Sequence, residues 1–525
     1  MKLSKLSLIL LLLIITLNIT TVLINTYAKF TSQYSGLYEY ACYVDDDGVS
    51  NIVIIYQNYV GSGSSWLLVP RNFTKYTVSI LDGIIVNSEV KRAYTATGEV
   101  FTFYDNFTFT YIGNPKFKLQ INYVMDNGAL IVEPRGFFYS PQIYFNPKDK
   151  GVVYVYLPGD TKVNNVQPQP TNIEIEGGRN KVTVQLQSNN ARVAVEYIVT
   201  KFGKFETYSS GIFHVITPTR YLTIAKNLIE TYNTFYRNLT KIFNVNLTEV
   251  KIQFFAPRIA DLGIGGYIPF NGTHLGNIYL NLLYIRTVQG FWEQIALHEL
   301  IHHFVWAAGI SPNLLWVHEG LAEYLSIKLT IETGWEGALS RKKTLESTAL
   351  KLGGKYGFVQ WWNPVQTPQN IADYYAASYM IIKEVVEGYG GLTLLQKLFN
   401  RIKGSTISDT NTFIEYLNIA AGKDLTMKFM GWGFKISEGI QVYQYIVEAK
   451  YLLMNKRLAQ PIAFIANTLL DLAQNLLISG NIILALIIGW IGVFMAYTAI
   501  TLTVILWGGL LVIIFRRLKY YERLP

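Results

Sequence analysis

Residues 298–304 read HELIHHF, and residues 316–326 read WVHEGLAEYLS. The first contains the pattern H-E-x-x-H as His298, Glu299 and His302. On a helix, His298 and His302 stand at i and i+4, so both imidazoles leave one face about a turn apart. That spacing lets them hold one tetrahedral zinc ion, with Glu299 beside it and able to take a proton from water. Leu300, Ile301, Phe304 and Val305 would bury the rest of the helix. The chain has 6 histidines, and four of them fall between 298 and 318, so chance is a poor account of the pattern. His303 points away from the metal face, and His318 reads as a helix-start or surface histidine.

Outward from this helix the periodicity changes. From about 30 to 210, runs such as NIVIIYQNYV, FTFYDNFTFTYI, FKLQINYV, GVVYVYL and VTVQLQ alternate Val, Ile, Tyr, Phe and Thr at period two. Asp-Gly, Asn-Gly and Gly-Asp pairs break them, which predicts a β-sandwich, or two smaller ones joined at VQPQPTN (166–172). Asp45-Asp46-Asp47-Gly48 fits a charged hairpin turn better than a cation site. After Pro218, TRYLTIAKNLIETYNTFYRNLTKIF carries apolar residues at helical spacing. KIQFFAP and NIYLNLLYI read as strands, and the signals from 340 to 435 are helical.

A catalytic zinc site needs a third protein ligand and an open fourth position. The metzincin pattern would place Gly and His where Val305 and Ala308 stand, which excludes that class. The second motif, Trp316-Val317-His318-Glu319-Gly320-Leu321-Ala322-Glu323-Tyr324, resembles the W-L-x-E-G-x-A-x-Y of the gluzincins, the clan of thermolysin and the aminopeptidase N type enzymes. The resemblance covers roughly 210–435 and implies a zincin-like catalytic domain. It makes Glu319 the third ligand of a single catalytic Zn2+, after His298 and His302, with Glu299 as general base. The interval from His302 to Glu319 is shorter than in the aminopeptidase N type, which implies a short interhelix turn in AAGISPN (307–313). Glu323, one turn beyond Glu319, matches the thermolysin acid that accepts the other ring N–H of a ligand histidine, here His298. ADYYAASYMIIKEVVEGYGGLTLLQKLF (372–399) is similar to the following helix in aminopeptidase-like members, and points to Tyr375 as donor to the oxyanion. Those aminopeptidases also hold the substrate amine with a Glu in a Gly-x-Met-Glu-Asn-like strand. Here the corresponding segment is Gly265-Gly266-Tyr267-Ile268-Pro269-Phe270-Asn271, and no carboxylate occurs from 262 to 292. An endopeptidase with NIYLNL as the strand that pairs with substrate fits better than an aminopeptidase.

Half of the 525 residues are apolar and 15% are charged, a greasy balance for a fully soluble chain. About half of the formal charge of +9 sits at the two ends, and the long middle shows no basic stripe, which argues against nucleic acid as a partner class. A basic start, an apolar run from Leu8 to Leu17 and small residues before position 29 read as a signal peptide, with an uncleaved N-terminal anchor as the alternative. No charge occurs between Asp471 and Arg516, and residues 482–515 exceed the ~20 needed to span a bilayer. Arg516, Arg517 and Lys519 follow, so the bulk of the chain is expected outside the cell. Sequons at Asn72, Asn106, Asn238, Asn246 and Asn271 agree with an exported glycoprotein. With Cys42 alone, no intrachain disulfide can form.

The expected architecture is α+β: signal peptide 1–28, β-sandwich region 29–210, zincin-like catalytic domain 211–335, helical subdomain 336–435, helical stalk 436–481, transmembrane segment 482–515 and basic cytoplasmic tail 516–525. The expected function is a membrane-anchored extracellular zinc metallopeptidase acting on peptide or protein substrates. A catalytically inactive cell-surface scaffold and a zinc aminopeptidase are the alternatives.

Overall fold

The computed structural model describes residues 36–59, 61–71, 75–92, 104–270, 275–364, 366–436, 438–454, 459–478 and 482–521. The signal peptide, Asn72 and Asn271 lie outside the described residues. The chain divides into two compact units. One takes in Met1–Tyr232, Thr248–Glu299 and Thr330–Arg341, the other Asn233–Leu247, Leu300–Leu329 and Lys342–Pro525.

In the first unit, β1 (Leu37–Val44), β2 (Ser50–Asn58), β4 (Thr77–Asp82), β7 (Phe117–Met125), β11 (Lys150–Pro158), β13 (Asn172–Glu176) and β14 (Arg179–Gln185) make one sheet. Its order is β13-β14-β11-β1-β2-β7-β4. A second sheet joins β3 (Ser62–Pro70), β6 (Tyr104–Ile112) and β5 (Ile84–Arg92) in that order. A third joins β12 (Lys162–Gln167), β16 (Ala194–Ile198), β9 (Arg135–Tyr139) and β8 (Ala129–Val132), and β10 (Ile143–Tyr144) pairs β15 (Asn190–Ala191). Alternate residues of the first three sheets, including Tyr38, Ile54, Leu119, Val155, Phe109, Phe138 and Val195, close into one buried cluster. That is a single sandwich core, so VQPQPTN is a crossing between sheets and not a joint between two domains. Asp45 does form a hairpin turn between β1 and β2, its Oδ1 accepting from Asp47 N at 3.0 Å and Val49 N at 2.8 Å.

The strands on either side of residue 210 pair with each other. β17 (Phe205–Ser210) pairs β18 (Phe213–Pro218), which runs parallel to β19 (Val250–Phe255), itself parallel to β21 (Ile278–Asn281). The five-stranded order is β17-β18-β19-β21-β20, with β20 (Gly266–Tyr267) antiparallel to β21 at the end. NIYLNLLYI is thus only half strand, because Leu282–Arg286 turns into a 3-10 helix started by Asn281, whose side chain accepts from Leu283 N. β21 is also interior, so it cannot be the strand that adds a substrate; β20 is the edge. Helix α1 (Leu222–Phe243) begins after a short 3-10 turn, and Tyr232 on it packs its ring tilted against Phe213 and donates to Ala296 O at 3.0 Å.

Helices α2 (Phe291–Ala307) and α3 (Leu315–Glu332) run through both units. The second unit continues with α4 (Gly337–Lys351), α5 (Ile371–Gly388), α6 (Leu392–Ile402), α7 (Thr410–Ala421) and α8 (Thr426–Gly431). These follow from the expected helical signals: α7, for example, starts where Asp409 Oδ1 accepts from Thr412 N and stops at Gly422, φ 64°. The expected stalk is two helices, α9 (Glu438–Met454) and α10 (Ile462–Ile478). Both fold against α11 (Ile482–Tyr521) through a seam of small residues, Ala449, Ala463, Ala466, Ala473, Ala496 and Ala499. Among the described residues one helix segment, Ile483–Lys519, is long and apolar enough to cross a membrane.

Candidate metal centre

Helix α2 carries His298, Glu299 and His302, and α3 carries His318, Glu319 and Glu323. Both helices are apolar nearly all round, the pattern of a buried helix and not of a surface one. Leu297, Leu300, Ile301, Phe304, Val317, Leu321 and Leu325 have no exposed surface. Full burial of each such side chain is worth roughly 1.5–3 kcal/mol, and this holds polar groups in a core that would otherwise reject them.

The link between the helices is short because two capping devices use nearly all of it. Ile310 N–H donates to Val305 O at 3.1 Å and Gly309 N–H to Trp306 O at 3.0 Å, the paired bonds of a Schellman cap with Gly309 at φ 97°. Ser311 then accepts at its hydroxyl from Asn313 N and at its carbonyl from Leu314 N, and α3 begins. Trp316, fully buried, pins the first turn of α3 by donating to Thr410 Oγ1 at 3.0 Å and meeting Phe413, Phe429 and Phe434 edge-on.

The result brings His298, His302 and Glu319 together, one ligand atom from each lying within 4.8 Å of the others. His302 Nε2 stands 3.6 Å from Glu319 Oε2. Tetrahedral zinc with bonds of about 2.1 Å holds its ligands about 3.4 Å apart, so this pair is already near its spacing. Two imidazoles and one carboxylate form a borderline nitrogen and oxygen set, which suits zinc better than calcium or magnesium. The group could therefore hold a metal ion. Glu323 is 2% exposed, which rules out an ordinary solvated glutamate.

Glu299 meets a feature that the sequence reading passed over. A Cβ on Gly266 would lie 2.8 Å from Glu299 Cγ and 2.9 Å from Oε1, so the backbone of β20 passes directly against the carboxylate. Asn281 N donates to Gly265 O at 2.9 Å, which makes Gly265 and Asn281 a hydrogen-bonded pair. Gly266, next in the alternation, turns its N–H and C=O away from β21 to the edge of the sheet. The signal in the sequence was the Gly265-Gly266 pair itself, two residues without side chains just ahead of a strand.

His318 is buried and not at the surface. Its Nε2–H donates to Ile310 O at 3.0 Å, and its ring stacks 5.7 Å from that of His302. Burial lowers its pKa to about 4, and does the same for His303, so both are neutral imidazoles at neutral pH. Tyr375 is half-buried on α5 with Trp362 edge-on at 5.2 Å, while Tyr374 packs between Phe358 and Trp362. Helix α5 crosses α3 closely at Gly320, where a Cβ would fall 2.7 Å from Ser378 O. Tyr375 is one turn before that crossing, and Glu319 is the residue beside it. Neither the family models searched nor the curated proteins compared give a match to this sequence.

Proposed function

We propose that the protein is a zinc-dependent metallopeptidase of the gluzincin type, an endopeptidase held at the outer face of a cell membrane by α11. The observation that carries this reading is the convergence of His298, His302 and Glu319 beside Glu299, under a strand edge kept bare by Gly266. Zinc in such a set acts as a Lewis acid toward a carbonyl and makes water acidic near neutral pH. The chain's own residues do the rest. Glu299 takes the proton from the attacking water and passes it to the leaving amine. Gly266 N–H and C=O pair with the backbone of an extended peptide and set its scissile bond over Glu299. Tyr375 donates to the oxyanion, and Glu323 fixes the ring of His298. Membrane attachment is supported by the length of α11 and by Arg516, Arg517 and Lys519 at its end, which favour a cytoplasmic tail.

The test uses the full chain in detergent, with bound zinc measured alongside cleavage of an end-blocked peptide library. The expected result is one zinc per chain in both wild type and Glu299→Gln, with cleavage at least 100-fold slower in the variant. A chelator should abolish cleavage, and added zinc restore it. Equal cleavage by Glu299→Gln would sink the reading, and cleavage confined to peptides with free N-termini would redirect it to an aminopeptidase.

A further inference from the structure

We propose that Tyr267, stacked on Tyr279 and flanked by Phe255, selects an aromatic or long aliphatic side chain in the peptide paired on the edge of β20. The inference rests on the peptidase reading of the site. Tyr267 and Tyr279 are directly opposite across β20 and β21, their rings 4.9 Å apart and 7° from parallel. Phe255 meets Tyr267 at 5.6 Å and 58°. A tyrosine on a two-residue edge strand would ordinarily be mobile. Here the ring is held in place while 44% of the residue stays exposed, so a partner meets a surface whose ordering cost is already met.

The position of that surface follows from strand alternation. Gly266 faces Glu299, so Tyr267 faces the opposite side of the sheet. A peptide that hydrogen-bonds to Gly266 also alternates its side chains. Its residue opposite Gly266 lies on the Glu299 side, and its neighbour opposite Tyr267 projects onto the tyrosine face. Directly opposite residues bring their Cβ atoms to about 5 Å, well within reach of an aromatic pair. One side chain, a single residue from the one nearest Glu299, therefore lands on Tyr267. Ile264 and Phe270, 43% and 37% exposed, flank the strand and extend the apolar character of the segment.

The experiment measures binding apart from turnover. Full-length Glu299→Gln in detergent is titrated with fluorescent, end-blocked peptides that differ only by Phe or Ala at successive positions. Phe at one position should tighten Kd about fivefold. Tyr267→Thr, which keeps a β-forming residue in the strand, should erase that preference and leave the all-Ala peptide unchanged, while Tyr267→Phe retains it. A preference that survives Tyr267→Thr, or no preference in the parent, overturns the proposal. Wild-type cleavage is followed on the same peptides. Cleavage without a Tyr267-dependent preference overturns the platform alone. A Tyr267-dependent preference with no cleavage overturns the peptidase reading and leaves a peptide-binding face.

Discussion

Gly266 lacks a side chain where any other residue would put a carbon 2.8 Å from Glu299 Cγ. The neighbour that must yield is the Glu299 side chain and not backbone, so Gly266→Ala should cost less stability than a clash with backbone. It should instead displace the Glu299 carboxylate, the proposed general base. The expected outcome is a melting temperature within a few degrees of wild type, unchanged zinc content, and kcat reduced at least 10-fold, since misplacing a catalytic group by about an ångström can cost 100-fold. Normal kcat in a folded Gly266→Ala would show that Glu299 is not the base. Asp149, far from this site in sequence, offers a test by pH. Its carboxylate accepts from Gly36 N at 2.7 Å and Ser65 Oγ at 2.6 Å, yet burial raises its pKa above the ordinary value. The folded state therefore keeps this proton at a pH where the unfolded chain has released it. Its contribution to stability is full below about pH 4 and lost as pH rises through the raised folded pKa. Asp149→Asn keeps an acceptor for Gly36 and removes the titration. Denaturant midpoints measured against pH should show the variant gaining on wild type as pH climbs from 4, and parallel curves would refute the assignment.

At the scale of elements, α3 and α5 touch backbone to backbone at Gly320, where a Cβ would fall 2.7 Å from Ser378 O and 2.8 Å from Ile382 Cγ1. Gly320→Ala must push the helices apart, because a carbonyl inside a helix cannot swing aside. Overpacking of this kind costs about 1–3 kcal/mol, and Glu319, a proposed metal ligand, is the adjacent residue, so the proposed zinc should also bind more weakly. Thermal unfolding with and without zinc checks both effects. The same glycine shows what the sequence made legible. The Glu-Gly pair of the second motif was readable as candidate ligand and neighbour, but the reason for glycine lies in a helix that starts 51 residues later. Local signals fared similarly in the sandwich. Asp82-Gly83, Asn127-Gly128 and Gly159-Asp160 each mark a change of direction, yet β4 and β5, β7 and β8, and β11 and β12 fall in different sheets. Period two located the strands; partner choice was set by which faces share the core, a long-range property that no window of residues carries. His298 and His302 were legible as a pair because helical spacing puts both on one face, whereas Glu319, on the next helix, came only from the resemblance of the second motif. Tyr267 and the bare edge at Gly266 were not legible, since both depend on β20 being last in the sheet.

For the whole molecule, the decisive question is where the proposed membrane part begins. Helix α11 has 40 residues and is about 60 Å long, twice the ~30 Å hydrocarbon thickness. Its first half is not free to meet lipid on every side, because Val493, Ala496 and Ala499 are buried with Ala463, Ala466, Leu470 and Ala473 of α10 and with Ile446, Ala449 and Leu453 of α9. Thr503 Oγ1 donates to Ala459 O at 3.0 Å, near the lower limit of that packing, and every residue from Val504 to Lys519 is exposed. The alanine seam lets the helices approach closely, and without α11 it becomes an open apolar surface. The position of a truncation should therefore decide solubility more than the amount of apolar sequence removed. A chain of residues 29–481 lacks α11 but keeps α9 and α10, and should self-associate in buffer without detergent. A chain of residues 29–436 loses the whole seam and should be monodisperse, with Cys42 unreactive toward thiol reagents until the protein is unfolded. That thiol is 1% exposed and its pKa is pushed up to about 12 by burial, so it reports on the sandwich independently of the membrane part. Size-exclusion chromatography of the two chains checks the contrast. A monomeric 29–481 would mean that α9 and α10 close their apolar faces on each other, and that α11 is a separate anchor as the sequence first suggested.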